Sequence, residues 1–154
     1  KVKAMISLTK GEGFGRPLLE FSVLNKPIIT TGWSGHVDFL SKDYCALLGG
    51  ELEKVHQSAQ VKDMILGEAQ WFKVGDQWIN NAYQDVYYNY KSWKDKSKKQ
   101  GFHSRKNFSF KKMKNLIENI FKENIPELPK KMELKLPSMN KIKMPKKDKL
   151  KIVK

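Results

Sequence analysis

Residues 4–31 read AMISLTKGEGFGRPLLEFSVLNKPIITT, and this stretch decides the fold. It opens with a short apolar run at residues 4–8, which predicts a strand, and continues into a glycine-rich turn at residues 11–15. A helical segment at residues 16–24 follows, and the β-branched run at residues 27–31 predicts a buried strand. The order strand, turn, helix, strand indicates a βαβ unit with parallel strands.

Three residues mark the limits of this helix. Pro17 suits the first helical position, where its missing N–H leaves no hydrogen bond unmade. Asn25 suits the left-handed residue that ends a helix, and Pro27 prevents the helix from continuing. The helix is therefore expected to end before Asn25 and to lead directly into the second strand.

The next residues repeat the alternation of turn, short helix and strand. A turn at residues 32–35 leads to a short amphipathic stretch at residues 36–40, and residues 44–48 predict a third strand. The connection that ends near residues 71–72 is interpreted as a loop. We therefore expect an α/β fold in which a Rossmann-like parallel sheet is flanked by helices.

Further helices are predicted towards the C-terminus. Helical spacing of apolar residues extends from Asp76 to about Lys96. Another helix begins at residues 108–110, with Ser109 as its N-cap. An apolar stripe on that helix consists of Met113, Leu116, Ile117, Ile120 and Phe121.

The positive charge of the chain is concentrated in two segments. The 154 residues include 30 Lys and Arg and 16 Asp and Glu, a formal charge of +14, but residues 1–90 carry nine basic and ten acidic residues. Residues 91–114 carry ten basic residues and one acidic residue, and residues 126–154 carry ten lysines and three acidic residues. The hydrophobic fraction of 40% can supply a core, which excludes a wholly disordered protein.

The C-terminal segment is expected to form a flexible tail. Residues 126–154 contain several prolines, no aromatic residue and few large apolar residues, so they cannot bury enough surface to offset their ordering entropy. We therefore divide the chain into a Rossmann-like domain, residues 1–125, and a lysine- and proline-rich tail, residues 126–154. No apolar run reaches membrane-spanning length, and the single Cys45 fits a reducing compartment, so the sequence favours a cytoplasmic protein.

The glycine turn carries carboxylates that favour a sugar-containing ligand. A strand that ends in glycines and leads into a helix exposes main-chain N–H groups at the carboxyl edge of a parallel sheet, where phosphorylated ligands bind. Gly13 and Gly15 have no Cβ to keep a ligand from the main chain. Glu12 and Glu20 can face one crevice, where they would repel phosphate but accept hydrogen bonds from sugar or ribose hydroxyls. A nucleotide sugar satisfies both requirements.

Three motifs follow one another around this turn: EGFGRPLLE at residues 12–20, NKPIITT at residues 25–31 and SGHVD at residues 34–38. Together they closely resemble the donor-binding signature of the group 1 retaining glycosyltransferases of GT-B fold. The resemblance covers residues 4–50 well and residues 70–124 loosely. It identifies the chain with the C-terminal, donor-binding domain of that family.

The resemblance implies a role for each residue of the motif. Glu12 would be the catalytic-site carboxylate, in contact with hydroxyls of the transferred sugar, and Glu20 would hold the ribose hydroxyls. The main chain at Gly13, Phe14 and Gly15 would lie against the sugar and diphosphate. The implied reaction transfers a hexose from a nucleotide-diphosphate sugar to an acceptor hydroxyl with retention, without a metal ion or any cofactor besides the donor substrate.

Two features of the family have no counterpart in this sequence. Family members carry an Arg and Lys pair on the diphosphate, from earlier strands of the same domain, and an N-terminal acceptor domain. We therefore expect a fragment that is inactive by itself. A non-catalytic module that binds a nucleotide sugar or a polyanion remains the alternative, and the acceptor, whether glycan, lipid or protein, stays open.

The basic segments leave the partner undecided. An anionic membrane surface would attract them, which would suit a peripheral enzyme with a lipid-linked acceptor, and nucleic acid phosphates would attract them as well. A merely solubilising surface is the third reading. Specific nucleic acid recognition is disfavoured because the tail has no aromatic residue or arginine. His56, His103 and Cys45 lack metal-ligand spacing, and His36 is interpreted as a structural or surface histidine rather than a catalyst.

Overall fold

The computed structural model describes residues 2–126. Its first three strands, β1 (Met5–Ser7), β2 (Ile28–Thr31) and β3 (Ala46–Leu48), form a parallel sheet in the order β1-β2-β3. Ile29 lies opposite Ile6 of β1 and Ala46 of β3. The expected α/β class is thereby confirmed, with a parallel sheet of three strands.

Strand β2 is buried along its whole length, and its two faces belong to two cores. On one face, Ile28 packs in a cluster that includes Leu18 and Phe39. On the other face, Ile29 packs in a cluster that includes Phe72 and Val86. The continuous apolar and β-branched sequence of β2 is typical of a parallel strand that is covered on both sides.

Helix α1 (Arg16–Ser22) covers the first face and ends as the sequence predicts. Pro17 lies in its first turn, and Asn25 has a φ of 56°, the left-handed conformation expected there. The guanidinium of Arg105 donates hydrogen bonds to the carbonyl oxygen of Val23 and to Oδ1 of Asn25. A distant part of the chain therefore fixes the connection between α1 and β2.

The prediction of a loop between β3 and residues 71–72 is wrong in one respect. This segment forms an antiparallel pair of strands, β4 (Glu51–Lys54) and β5 (Gln70–Lys73), with Glu51 opposite Lys73. Three of the four residues of β4 are charged, so it lacks the apolar run that indicates a strand. The hairpin is stabilised by an ion pair at 2.8 Å between Lys73 Nζ and Glu53 and by the burial of Phe72.

The helix predicted from Asp76 to about Lys96 is divided into two. Helix α2 (Asp76–Tyr88) ends at Asn89, and helix α3 (Tyr90–Asn107) continues well beyond the predicted limit. At the division, the carboxylate of Asp85 accepts hydrogen bonds from the Asn89 amide and from Nε1 of Trp93.

Helix α3 packs on α1 through polar groups, and this explains why apolar spacing missed its second half. The hydroxyl of Ser22 donates to Oγ of Ser104 at 2.7 Å. The side-chain amide of Gln100 donates to the carbonyl oxygen of Phe39 at 2.7 Å and accepts from the Ser41 N–H at 3.0 Å. All these polar groups are satisfied, as burial requires.

Helix α4 (Phe110–Asn124) begins as predicted, since Oγ of Ser109 accepts a hydrogen bond from the N–H of Lys112. None of its residues is buried within the described part of the chain. No helix of residues 2–126 has both the length and the apolar character needed to cross a membrane. The predicted flexible tail falls, apart from Pro126, outside the described residues.

Cys45 is expected to be unreactive in the native protein. It is 2% exposed, and burial raises the pKa of its thiol from 9.0 to about 12, so the reactive thiolate is almost absent at pH 8. A disulfide reagent such as 5,5′-dithiobis(2-nitrobenzoate) should label the native chain at least about 100-fold more slowly than the chain in guanidinium chloride. Rapid stoichiometric labelling of the native chain would contradict this burial.

Candidate functional site

The glycine turn lies at the carboxyl edge of the sheet, where the loop after β1 meets the loop after β2. The N–H of Gly35 donates to the carbonyl oxygen of Glu12 at 3.0 Å. Oγ of Ser34 donates to the same carbonyl oxygen at 2.6 Å and accepts from the N–H of Glu12 at 3.0 Å. These three hydrogen bonds lock the two loops together.

Two residues of the second loop allow this close approach. A Cβ on Gly35 would lie 2.1 Å from the carbonyl oxygen of Gly13, so no larger residue fits there. Ser34 has a φ of 84° and a ψ of −171°, a conformation that is otherwise almost confined to glycine. Its hydroxyl bonds to Glu12 offset part of that strain. Ser34 and Gly35 both belong to the motif at residues 34–38, but the sequence alone did not predict that they would bind the glycine turn.

The two glycines of the turn have different roles, and the interpretation of Gly15 needs correction. Gly15 has a φ of 80°, and a Cβ there would lie 2.9 Å from Cβ of His36, so its requirement arises from the protein's own packing. Around Gly13, by contrast, a Cβ would meet no atom within 4 Å. Only Gly13 leaves the main chain open to a ligand in the way the sequence suggests.

The main chain of the turn presents donors without protein acceptors. Among residues 2–126, no hydrogen bond is formed by the N–H groups of Gly13, Phe14 or Gly15. Gly13 and the side chain of Phe14 are exposed, and the Phe14 ring packs on Phe39 with centroids 5.2 Å apart. Gly15 itself is buried, so the open part of the turn is the main chain of Gly13 and Phe14 beside an aromatic ring.

The two glutamates are held differently. Glu12 is half-buried, and its main chain is fixed by Ser34, but it takes part in none of the four ion pairs found within residues 2–126. Glu20 instead pairs with Arg16, with Nε and Oε1 2.7 Å apart and both side chains exposed. An exposed pair of this spacing contributes about 0.3–0.5 kcal/mol, so a ligand can displace Arg16 at little cost.

His36 has the structural role that the sequence favours. It is completely buried, and its Nε2 lies within hydrogen-bond distance of the Thr31 carbonyl oxygen and, at 3.4 Å, of the Thr30 hydroxyl. Its Nδ1 has no partner in the described part of the chain. The ring lies beneath Gly15 and so couples the conformation of the turn to the end of β2.

The hairpin brings further residues to this edge that sequence reasoning missed. The ring of Trp33 stacks on Phe72 with centroids 5.6 Å apart and lies against Gly11. Lys10 and Lys73 line a cavity of about 230 Å³ at the ends of β1 and β2. Its remaining lining residues are Leu8, Thr31, Phe72, Val74, Asp76 and Ile79.

Lys73 is the more constrained of these two cations. Its ammonium is hydrogen-bonded to Glu53, and that bond, with the charge of the carboxylate, raises the pKa of Lys73. The turn residues Glu12–Gly15 do not line any of five cavities of 230 to 570 Å³ within residues 2–126. The turn is thus an exposed surface, and the cavity at the sheet edge holds Asp76 as well as its two lysines.

Metal binding finds no support in the side chains that the structure describes, since no three His, Cys, Asp or Glu residues among them form a candidate cluster. Searches against protein-family models, curated proteins and solved structures gave no match to this chain.

The substitutions Gly15→Ala and Gly13→Ala should have different effects on the stability of the protein. Gly15→Ala is expected to lower the free energy of unfolding by about 1–3 kcal/mol, because alanine disfavours a φ of 80° and its Cβ meets His36. Gly13→Ala should change stability by less than about 1 kcal/mol, because space is open there. Urea denaturation measures both, and equal losses would contradict the different roles.

Proposed function

We propose that this chain is the donor-binding part of a retaining glycosyltransferase and binds a nucleotide-diphosphate sugar at the glycine turn. The single observation that carries the proposal is the pair of amides at Gly13 and Phe14, which have no partner among residues 2–126 and lie in the exposed part of a turn that is fixed by the bonds between Glu12 and the second loop. Preorganised N–H donors of this kind form charge-assisted hydrogen bonds with phosphate oxygens without further ordering of the chain.

The two glutamates would bind the ribose and the sugar of the same ligand, on either side of its diphosphate. Glu20 would exchange Arg16 for the ribose hydroxyls, and the released guanidinium would be available to a phosphate. Glu12 would accept hydrogen bonds from hydroxyls of the transferred sugar, since its carboxylate is not engaged in an ion pair within residues 2–126. Lys10 lies next to the turn and would add positive charge near the diphosphate.

In the proposed reaction, the bond between the anomeric carbon and the diphosphate breaks as the acceptor hydroxyl attacks from the same face. A diphosphate oxygen takes the proton of that hydroxyl, and the new glycosidic bond keeps the configuration of the donor. The turn amides would stabilise the charge that develops on the departing diphosphate. All the roles assigned here concern the donor, so we expect this chain alone to bind the donor without transferring it.

A non-catalytic module that binds a polyanion is the second candidate. Lys98, Lys99 and Lys106 of α3 line a cavity of about 500 Å³ together with His103 and the aromatic side chains of Tyr44 and Phe102. Cations around an aromatic wall suit a phosphorylated ligand, and binding there would fall steeply with salt concentration. It would not depend on Glu20.

Donor binding is tested by calorimetric titration of the full chain with UDP, GDP and their hexose conjugates. Glu20→Gln should weaken binding of the preferred donor about tenfold, because a charged acceptor of ribose hydrogen bonds becomes neutral. The matched control is Glu118→Gln, which alters a second exposed glutamate that lies four residues after its cation, in a pair at 3.7 Å. The control should bind the donor as the native chain does.

Two results would contradict the proposal. One is the absence of binding to every nucleotide and nucleotide sugar in the panel. The other is binding that is as tight in Glu20→Gln as in Glu118→Gln and that falls steeply with salt concentration, since such binding would not depend on the ribose contact and would favour the polyanion module.

A further inference from the structure

We propose that helix α4 docks on an anionic lipid bilayer and that the neighbouring lysines of α3 hold it there. The stripe on α4 is a continuous apolar surface with no cover among residues 2–126. Its members are between 41% and 76% exposed. They are the five residues that the sequence predicts, Met113, Leu116, Ile117, Ile120 and Phe121, together with Phe110, which extends the stripe to the start of the helix.

The helix stands away from the body of the protein. Within the described residues, no other helix or strand forms an extensive contact with α4. Its connection to the body is at its start, where the ring of Phe108 packs against Phe39 with centroids 5.8 Å apart. A helix of this length is only marginally stable in water by itself, so a surface that covers the stripe would also stabilise the helix.

The placement of charge on α4 suits the interface of a membrane. At about 100° per residue, the stripe occupies roughly 140° of the helix, with Lys114 beyond one border and Glu123 followed by Lys112 beyond the other. Lysine side chains at such borders reach the headgroup phosphates while their methylene groups stay on the apolar side. This is the pattern of a helix that lies in the plane of the interface.

The charge of α4 and of the helix that precedes it in the chain favours an anionic surface. Residues 91–125 carry eleven basic and three acidic residues, and α3 contributes seven of the basic residues against Asp95 alone. The ammonium of Lys98 pairs with the carboxylate of Asp95 and lowers its pKa. The net charge of α3 is positive even with this carboxylate ionised. Each lysine near an anionic leaflet strengthens binding about fivefold.

The same positive charge disfavours other partners that could bury the apolar stripe. Two copies of this chain would bring two strongly basic surfaces together, which is electrostatically unfavourable. A nucleic acid would satisfy the lysines but leave the apolar stripe in water. An anionic bilayer satisfies both, because acyl chains and headgroup phosphates lie within a few ångströms of each other. The membrane contact goes beyond the proposed donor binding and does not depend on it.

The test is sedimentation of the full chain with vesicles of phosphatidylcholine alone and of an equimolar mixture with phosphatidylglycerol. Binding to the mixed vesicles is expected to be at least about tenfold tighter than to phosphatidylcholine alone. The double variant Ile117→Gln and Phe121→Gln should lose about tenfold or more of this binding, because apolar area is removed without a change of charge.

A matched control carries the same new side chains on the opposite face of α4. Asn115→Gln and Asn119→Gln together should bind the mixed vesicles within about twofold of the native chain, because glutamine there changes neither the stripe nor the charge. Circular dichroism establishes that both double variants keep their helix content. A third variant, with Lys91, Lys94 and Lys99 of α3 all changed to glutamine, should lose at least about tenfold of the binding to the mixed vesicles, because each of these lysines is expected to attract the anionic leaflet.

Three outcomes would overturn the proposal. The first is the absence of binding to the mixed vesicles. The second is binding that both double variants retain, since this would assign it to charge alone. The third is self-association of the native chain without vesicles, measured by analytical ultracentrifugation and abolished by Ile117→Gln and Phe121→Gln, since a second copy would then be the cover.

Discussion

The bonding of Ser34 and Gly35 to Glu12 is the constraint on which the carboxyl edge of the sheet depends. It takes up the N–H and the carbonyl group of Glu12 with the protein's own atoms and so fixes where the turn begins. The chain must then turn into α1 within a few residues, which requires the left-handed conformation of Gly15 above the buried ring of His36. Gly13 and Phe14 are left exposed between these two fixed points, and their amides form no hydrogen bond among residues 2–126, so one local constraint accounts for both the packing and the available donors.

Much of the sheet could be predicted because its determinants are local. The β-branched run of β2, the proline in the first turn of α1 and Asn25 at its end act over a few residues each. The hairpin could not be predicted in this way, because β4 is mostly charged and depends on its pairing with β5, some twenty residues later. Likewise, the second half of α3 is held by serine and glutamine side chains, whose hydrogen bonds to α1 and Phe39 leave no apolar period in the sequence.

The candidate site also has a part that follows from the local sequence and a part that depends on contacts between distant residues. The glycine turn and its position at the sheet edge could be predicted, because the motif and the strand that precedes it are contiguous. The Arg16 and Glu20 pair also follows from a local feature, their spacing of four residues on a helix. Lys10 and Lys73 share a cavity only because the hairpin folds back, with the N–H of Phe72 donating to the carbonyl oxygen of Lys10. No local pattern records a contact of that range.

The turn and α4 are joined by aromatic packing. Phe14 of the turn contacts Phe39, and Phe39 contacts Phe108, which lies immediately before the N-cap of α4. Since α4 has little other support from the described residues, the packing of Phe108 sets the direction in which the helix leaves the body. The rings of Phe14, Phe39 and Phe108 therefore form one continuous line of contacts from the exposed turn to the start of α4. The same aromatic packing thus fixes both the side chain beside the open amides and the base of the exposed helix.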